Sequence, residues 1–505
     1  MLLFNFSLSY GTWRARPWLL LLLLLACTSS AAQAAGYYWV GGSGQWDDLS
    51  HWATSSGGTT NQTQVPQSTD NVYFDANSFT AKDQTVTTIS TMTCQDLDWT
   101  GAVHAIAGGT TEGARLVGSG TLEVNGDLRL EAGLGRQDAN FSLLATGGGH
   151  LLDLQAVPVN GWLSFDSKSG GWLFTSDVNL VQYGATPSLL LNAGTIDFGD
   201  VTVSCFGVRS TGTFFRDIRL NDSHFNLLAP ANTWEVSGTG LTLDAGTSTL
   251  RLGPVARATA NGYSFVSSAQ AYHVVEVAVG TSALLNVGGS SFYALQINGN
   301  TTLTSAATIT GSLAVGRDVV LRAAAGQVLS FGSTARLTTG GNCAGMAVLL
   351  SSVPGQTAFL NRAGGWGGTI LSYAAVQDLS FGGGAALAAN KCLDRGNNQG
   401  ATFTPLPVRD FYWVGGSGAW HDPSHWATSS GGSASGFACL PSLATNVHFD
   451  ANSFGSSGEV VTFDGTNAFC RDLDWTGANA PRFTTAGTGT GSNSRSIVGC
   501  GALIG

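Results

Sequence analysis

The sequence predicts an all-β chain wound as a parallel, right-handed β-helix, a solenoid whose Trp-rich N-terminal cap module recurs near the C-terminus. Three observations carry this. Apolar residues alternate at i and i+2 in many short runs, among them Leu122/Val124, Leu128/Leu130, Ile196/Phe198, Leu241/Leu243 and Val275/Val277, which gives each run an inward and an outward face. The runs also echo one another: VNGDLRL from Val124 resembles INGNTTL from Ile297 and VGRDVVL from Val315. A repeat of about 18 to 22 residues, holding two or three short strands between Gly/Asn turns, suits one coil of a solenoid. Finally, a long segment is written twice. Tyr38–Gly58 and Tyr412–Gly432 agree at 18 of 21 positions, FDANSF recurs at Phe74 and Phe449, and DLDWTGA recurs at Asp96 and Asp472.

Composition agrees with this. Of 505 residues 69 are Gly, 12 Pro and 3 Met, with 43% hydrophobic and 11% charged. That is too apolar for a disordered chain, and the glycines lack the period of collagen. A string of β-sandwiches is the competing architecture. The short strands and the want of a Cys…Trp…Cys core favour the solenoid.

Residues 1–35 read as a secretory signal: Arg14 and Arg16, an apolar stretch from Trp18 to Ala26, and Ala32-Gln33-Ala34 before the cut. The apolar stretch is about half of what a spanning helix needs, so no membrane-spanning segment is expected once the signal is removed. Leu24-Leu25-Ala26-Cys27 offers lipoprotein anchoring at Cys27 as the minority alternative. Residues 36–102 form the first cap module, whose Trp39, Trp46, Trp52 and Trp99 can cover the open end of a solenoid core. Residues 103–407 form the solenoid, about 14 to 17 rungs or roughly 70 to 80 Å at the strand spacing. Residues 408–505 hold the second module, with Trp413, Trp420, Trp426 and Trp475, and the start of an incomplete second solenoid. The chain is accordingly expected to be truncated or a piece of a longer array.

The formal net charge is −10, with Lys only at 82, 168 and 391, so the basic stripe that nucleic acid demands is missing. Candidate chemistry is thin. Asp96 and Asp98, repeated as Asp472 and Asp474, share one strand face as glycosidase acids do, but Leu97 and Trp99 point inward and leave the carboxylates for solvent. Asp48 with His51, and Asp422 with His425, are read as a turn cap and a hydrogen-bonded ring inside the cap. No cofactor is expected. Calcium at Asp47, Asp48 or Asp75 is the one candidate ion, weakened because Asp47 becomes His421 in the second copy. Gly41-Gly-Ser-Gly44 lacks the helix and acid of a dinucleotide loop. Cysteines suggest two bridges, Cys439 with Cys470 inside the second module and Cys343 with Cys392. Trp162, Trp172, Trp234, Trp366, Phe292 and Tyr293 either stack sugars along one flank or fill solenoid corners.

The WVGGSGxWxDxxHW opening (Trp39–Trp52, Trp413–Trp426) precedes NVxFDANSF (Asn71–Phe79, Asn446–Phe454) and CxDxDWTG (Cys94–Gly101, Cys470–Gly477). In this the chain resembles repetitive secreted surface proteins of the Bacteroidota, which are often exported by type IX secretion. The resemblance implies export and an adhesin-like role. The expected protein is therefore a secreted or cell-surface (outer-membrane-associated), non-enzymatic structural rod touching extracellular polysaccharide or other surface components. A β-helix carbohydrate-active enzyme, of lyase or glycoside hydrolase type, or a glycan-binding protein is the alternative.

Overall fold

The computed structural model describes residues 34–504 except 89, 104–112, 182–186, 229–232, 254–261, 405, 435–438, 465–466, 486–496 and 499–502. The expected leader and Cys27 lie outside the described residues. Among those residues there is no α-helix; two three-residue 3₁₀ turns, Leu49–His51 and Pro423–His425, are the only helical elements. No helix among them is long and apolar enough to cross a membrane.

Successive strands do not pair with each other. Each pairs with the strand one coil later, so a 10-stranded, a 14-stranded and a 12-stranded sheet run side by side along the chain. Every pairing in the large sheets is parallel except at one edge, where Trp52–Ala53 lies antiparallel to Gly36–Trp39. Beyond that edge the first sheet runs on through Asn71–Tyr73, Leu97–Asp98 and Leu128–Arg129. The three repeated phrases of the module are thus the first three rungs of one sheet. At about 4.8 Å per rung, the 14-stranded sheet spans about 60 Å.

Register turns the alternation into inward columns. In the second sheet Met92, Leu122, Phe141, Leu163, Leu189, Val208, Trp234 and Phe265 lie directly over one another. In the third, Val203, Phe225, Leu250, Val275, Leu295, Leu313 and Leu337 do the same. One apolar core runs from Tyr37 to Cys392, so residues 36–102 share the solenoid's core instead of holding one of their own. The third face is interrupted early, between Arg115–Gly118 and Pro158–Val159. Fully buried Gln137 fills the interruption: its Oε1 accepts from Leu116 N–H at 2.8 Å and its Nε2 donates to Gly135 O at 2.6 Å.

The second module starts a new winding with the same edge. Trp426–Ala427 lies antiparallel to Arg409–Trp413, followed in parallel by Thr445–His448 and Asp472–Asp474. It does not stack on the end of the first solenoid. It lies against the outward side of the second sheet, where Val320, Val348 and Ala375 sit in one register column and are covered by Leu443 and Phe469.

Both expected disulfides are corrected. Cys343 is bonded to Cys439, 96 residues away, joining the first solenoid to the second module. Cys392 is a free, buried thiol whose sulfur accepts from Ala374 N–H at 3.4 Å; burial pushes it up to about 11. It points into the core, whereas Cys343 lies on the loop facing the second module. Cys470 is buried in the second core and is disulfide-bonded, but not to Cys439.

Candidate functional site

The cap motif is an aromatic cluster. Trp39 stacks on the His51 ring at 4.6 Å and meets Trp52 edge-on at 5.0 Å, while Trp46 meets Trp52 at 5.0 Å. Phe74 stacks on Trp99 at 3.9 Å. The indole N–H groups of Trp39 and Trp52 donate to Gly42 O and Trp46 O at 2.7 and 2.6 Å, which satisfies donors that burial would otherwise strand. Asp48 caps the short turn: its Oδ1 accepts from Ser50 N–H at 2.9 Å and from the Ser50 hydroxyl at 2.7 Å. Those two bonds hold its carboxyl below the usual range. The His51 Nδ1 lies 2.6 Å from Val40 O; a carbonyl only accepts, so Nδ1 carries the proton.

Gly41 and Gly44 leave room for this ring, and Gly42 for the Gln84 side chain. Gly41 and Gly42 have φ of +87° and +79°, and a Cβ on Gly44 would collide with His51 Nε2. The second copy repeats the arrangement. Trp413 stacks on His425 at 4.6 Å, Trp420 meets Trp426 at 5.1 Å, Asp422 accepts from Ser424 N–H at 2.9 Å, and a Cβ on Gly418 would strike His425. Trp475 packs more loosely, 5.6 Å from Phe449. Trp39, Trp46, Asp48, His51, Trp52 and Trp99 are therefore brought together as packing. The polar groups of Trp39, Asp48, His51 and Trp52 are engaged within the motif itself.

The paired acids also have structural partners. Asp96 Oδ1 accepts from Asp127 N–H of the next rung at 2.8 Å, and Asp98 Oδ1 from Thr100 N–H at 2.8 Å. Asp75 caps its own turn through Asn77 N–H at 2.9 Å. No group of three or more His, Cys, Asp or Glu able to hold a metal ion occurs among the described residues.

Of the aromatics proposed as a sugar platform, Trp172, Trp234, Trp366 and Phe292 are buried in the core. Trp162 is half-buried, and Tyr293 is exposed, stacked on His273 at 4.8 Å. The exposed pair lies elsewhere. Phe214 and Phe215 are 50% and 54% exposed, and Lys168 Nζ sits 4.1 Å over the Phe214 ring.

Beside that pair the outward face of the first sheet sinks into a cleft of about 400 Å³. Its floor is glycine: Gly148 and Gly149 on one rung, Gly170 and Gly171 on the next. Its far wall is Thr195, Asp197 and Arg219. Register places Leu173, Asp197 and Arg219 on three successive rungs. Arg219 donates to Asp217 at 2.7 Å with its side chain 49% exposed. Asp197 accepts from Gly199 N–H at 3.0 Å and from the Asn221 amide. The signal for this site was in the sequence as Gly147-Gly-Gly149, Gly170-Gly171 and Phe214-Phe215, but none of these alternates, so strand patterning passes over them.

No family model, no curated protein and no solved structure matches this chain.

Proposed function

We propose that the protein is an exported, non-enzymatic surface rod of adhesin-like type. The observation that carries the reading is the continuous parallel ladder from the first module through its single core, followed by a second copy of the module opening a second winding. Such a molecule multiplies one outward surface along its length, and weak contacts repeated on a rod gain strength by multivalency. Trp39, Asp48, His51 and Trp52 spend their polar groups on bonds within the motif, which supports a structural role for the repeated motif. Export and surface location rest on the leader and on the resemblance to Bacteroidota surface proteins.

The test is adhesion with and without turnover. Beads densely coated with the chain should be retained on polysaccharide-coated or cell-derived surfaces, about 10² times better than the dispersed chain binds. The same preparation should release no reducing ends or unsaturated products from a polysaccharide panel. Product release at enzymatic rates would replace this reading with the carbohydrate-active one. One observation favours a glycan-directed surface within either reading: Asp197 and Arg219 share a cleft on one sheet.

A further inference from the structure

We propose that the cleft on the first sheet binds a neutral saccharide segment, lying over Gly148 and Gly171 between Arg219 with Asp197 on one side and the Phe214–Phe215 pair on the other. The inference rests on the surface-contact reading above and gives it a ligand class and a place.

Shape comes first. About 400 Å³ is near the low end for small-molecule sites, and the glycine floor makes the cleft shallow and open along the face. A chain can therefore enter sideways at an internal residue. The walls supply both kinds of hydrogen-bonding partner: the guanidinium only donates, the ionised carboxylate only accepts, and the Thr195 hydroxyl does both. Vicinal hydroxyls on a sugar ring match that mixture, each accepting one bond and donating another. Phe214 and Phe215 lie close by, since Phe215 O accepts from Gly194 N–H at 3.0 Å and Gly194 packs on Gly170 and Trp172. The parts of these half-exposed rings that Lys168 leaves open offer a flat apolar surface to the C–H face of a pyranose.

Other ligand classes fit less well. An extended peptide gains affinity by pairing with an open strand edge, and here the cleft lies on a sheet face whose strands are paired on both sides. A polyanion would meet Asp197 and Asp217 as well as Arg219 and Lys168, on a chain of net charge −10.

The test uses the full chain against hexameric oligosaccharides of neutral glucan, mannan and xylan, with a galacturonate hexamer as the anionic comparison, by calorimetry. The native chain should bind at least one neutral oligomer, insensitive to salt. Gly148→Leu is the sharpest variant, because Gly148 has an ordinary φ and a Cβ there meets open space. It should fill the cleft, lower affinity about tenfold or more and leave the melting temperature unchanged. Phe214→Ala and Asp197→Asn should each weaken binding. Binding of no neutral oligomer, binding of the galacturonate alone, or undiminished binding by Gly148→Leu overturns the proposal. Coated beads keep the two readings apart. Adhesion without oligomer binding removes the cleft and leaves the adhesive rod, whereas oligomer binding without adhesion does the reverse.

Discussion

Arg216 is fully buried at a turn of the first sheet, and all five of its N–H donors are used. Nε donates to Phe214 O, Nη1 to Ser210 Oγ and Ser237 O, and Nη2 to Gly212 O and Thr239 O, at 2.9 to 3.2 Å. Burial pulls its pKa down from the usual value, yet the carbonyl dipoles hold the guanidinium where no carboxylate bonds to it. Its fixed fork ties two successive loops together, 210–214 and 237–239, and a lysine cannot reproduce it. Arg216→Met should leave those carbonyls unsatisfied and cost about 3 kcal/mol or more in urea unfolding; a loss under 1 kcal/mol would reject this role. The tryptophans give a second comparison at this scale. Trp52 Nε1 has an acceptor in Trp46 O, while Trp99 Nε1 is buried with no partner. Replacement by Phe strands Trp46 O in the first case and removes an unsatisfied donor in the second. Trp52→Phe should therefore destabilise by about 1 to 3 kcal/mol more than Trp99→Phe, and equal midpoints in paired melts would contradict the assignment.

At the scale of the strand, the outward column Val320–Val348–Ala375 departs from the alternation that builds the rest of the rod. The inward neighbours Leu321, Leu349 and Val376 fill the core, so apolar residues occupy both faces of these strands. Leu443 and Phe469 of the second module cover the outward ones. Val348→Asp should leave the first solenoid folded, because the residue lies outside its core, while placing an unpaired charge under the second module. Limited proteolysis should then cut near exposed Val408 several times faster. Cleavage within the solenoid at the same rate would show that Val348 belongs to the main core instead. This column also marks how far the sequence could be read. Alternation made Leu122/Val124 or Val275/Val277 legible because each strand there answers only to its own core and to solvent. The runs VVL, AVLL and AAV answer to two bodies at once, and a one-dimensional pattern cannot tell a doubly covered strand from a deeply buried one. The cleft was hidden for the opposite reason: Gly148 and Gly171 matter through the side chains they lack. The cap residues were readable since Trp39, Asp48 and His51 act on neighbours within about a dozen positions.

For the whole molecule the decisive feature is the side-on joint between the two windings, and the cysteine arithmetic failed there because pairing depends on it. Cys343 and Cys439 come together only when the second module lies on the second sheet. Across the same joint, Asn467 Nδ2 donates to Asn300 Oδ1 at 3.0 Å and to Asp318 O at 2.8 Å. Burial pushes the Asp318 carboxyl up to about 6, against the opposing pull of His421 and Arg317; Arg317 Nε is 3.2 Å from it, and His421 is itself paired with Asp464 at 2.7 Å. A carboxyl raised in the folded form binds more protons there than in the open form between its two pKa values. Stability of the closed joint is therefore fullest below about pH 4 and falls as pH rises through about 6. With the disulfide in place, the joint should stay closed across that range. In Cys343→Ser/Cys439→Ser, small-angle scattering should show the chain compact near pH 4.5 and longer near pH 7.5. Asp318→Asn is the discriminating variant. Added to that double-serine variant, it should keep the joint closed at both pH values. If that chain opens with pH as before, Asp318 is not the group responsible. If the double-serine variant has the same dimensions at both pH values, the joint is held by apolar contacts alone.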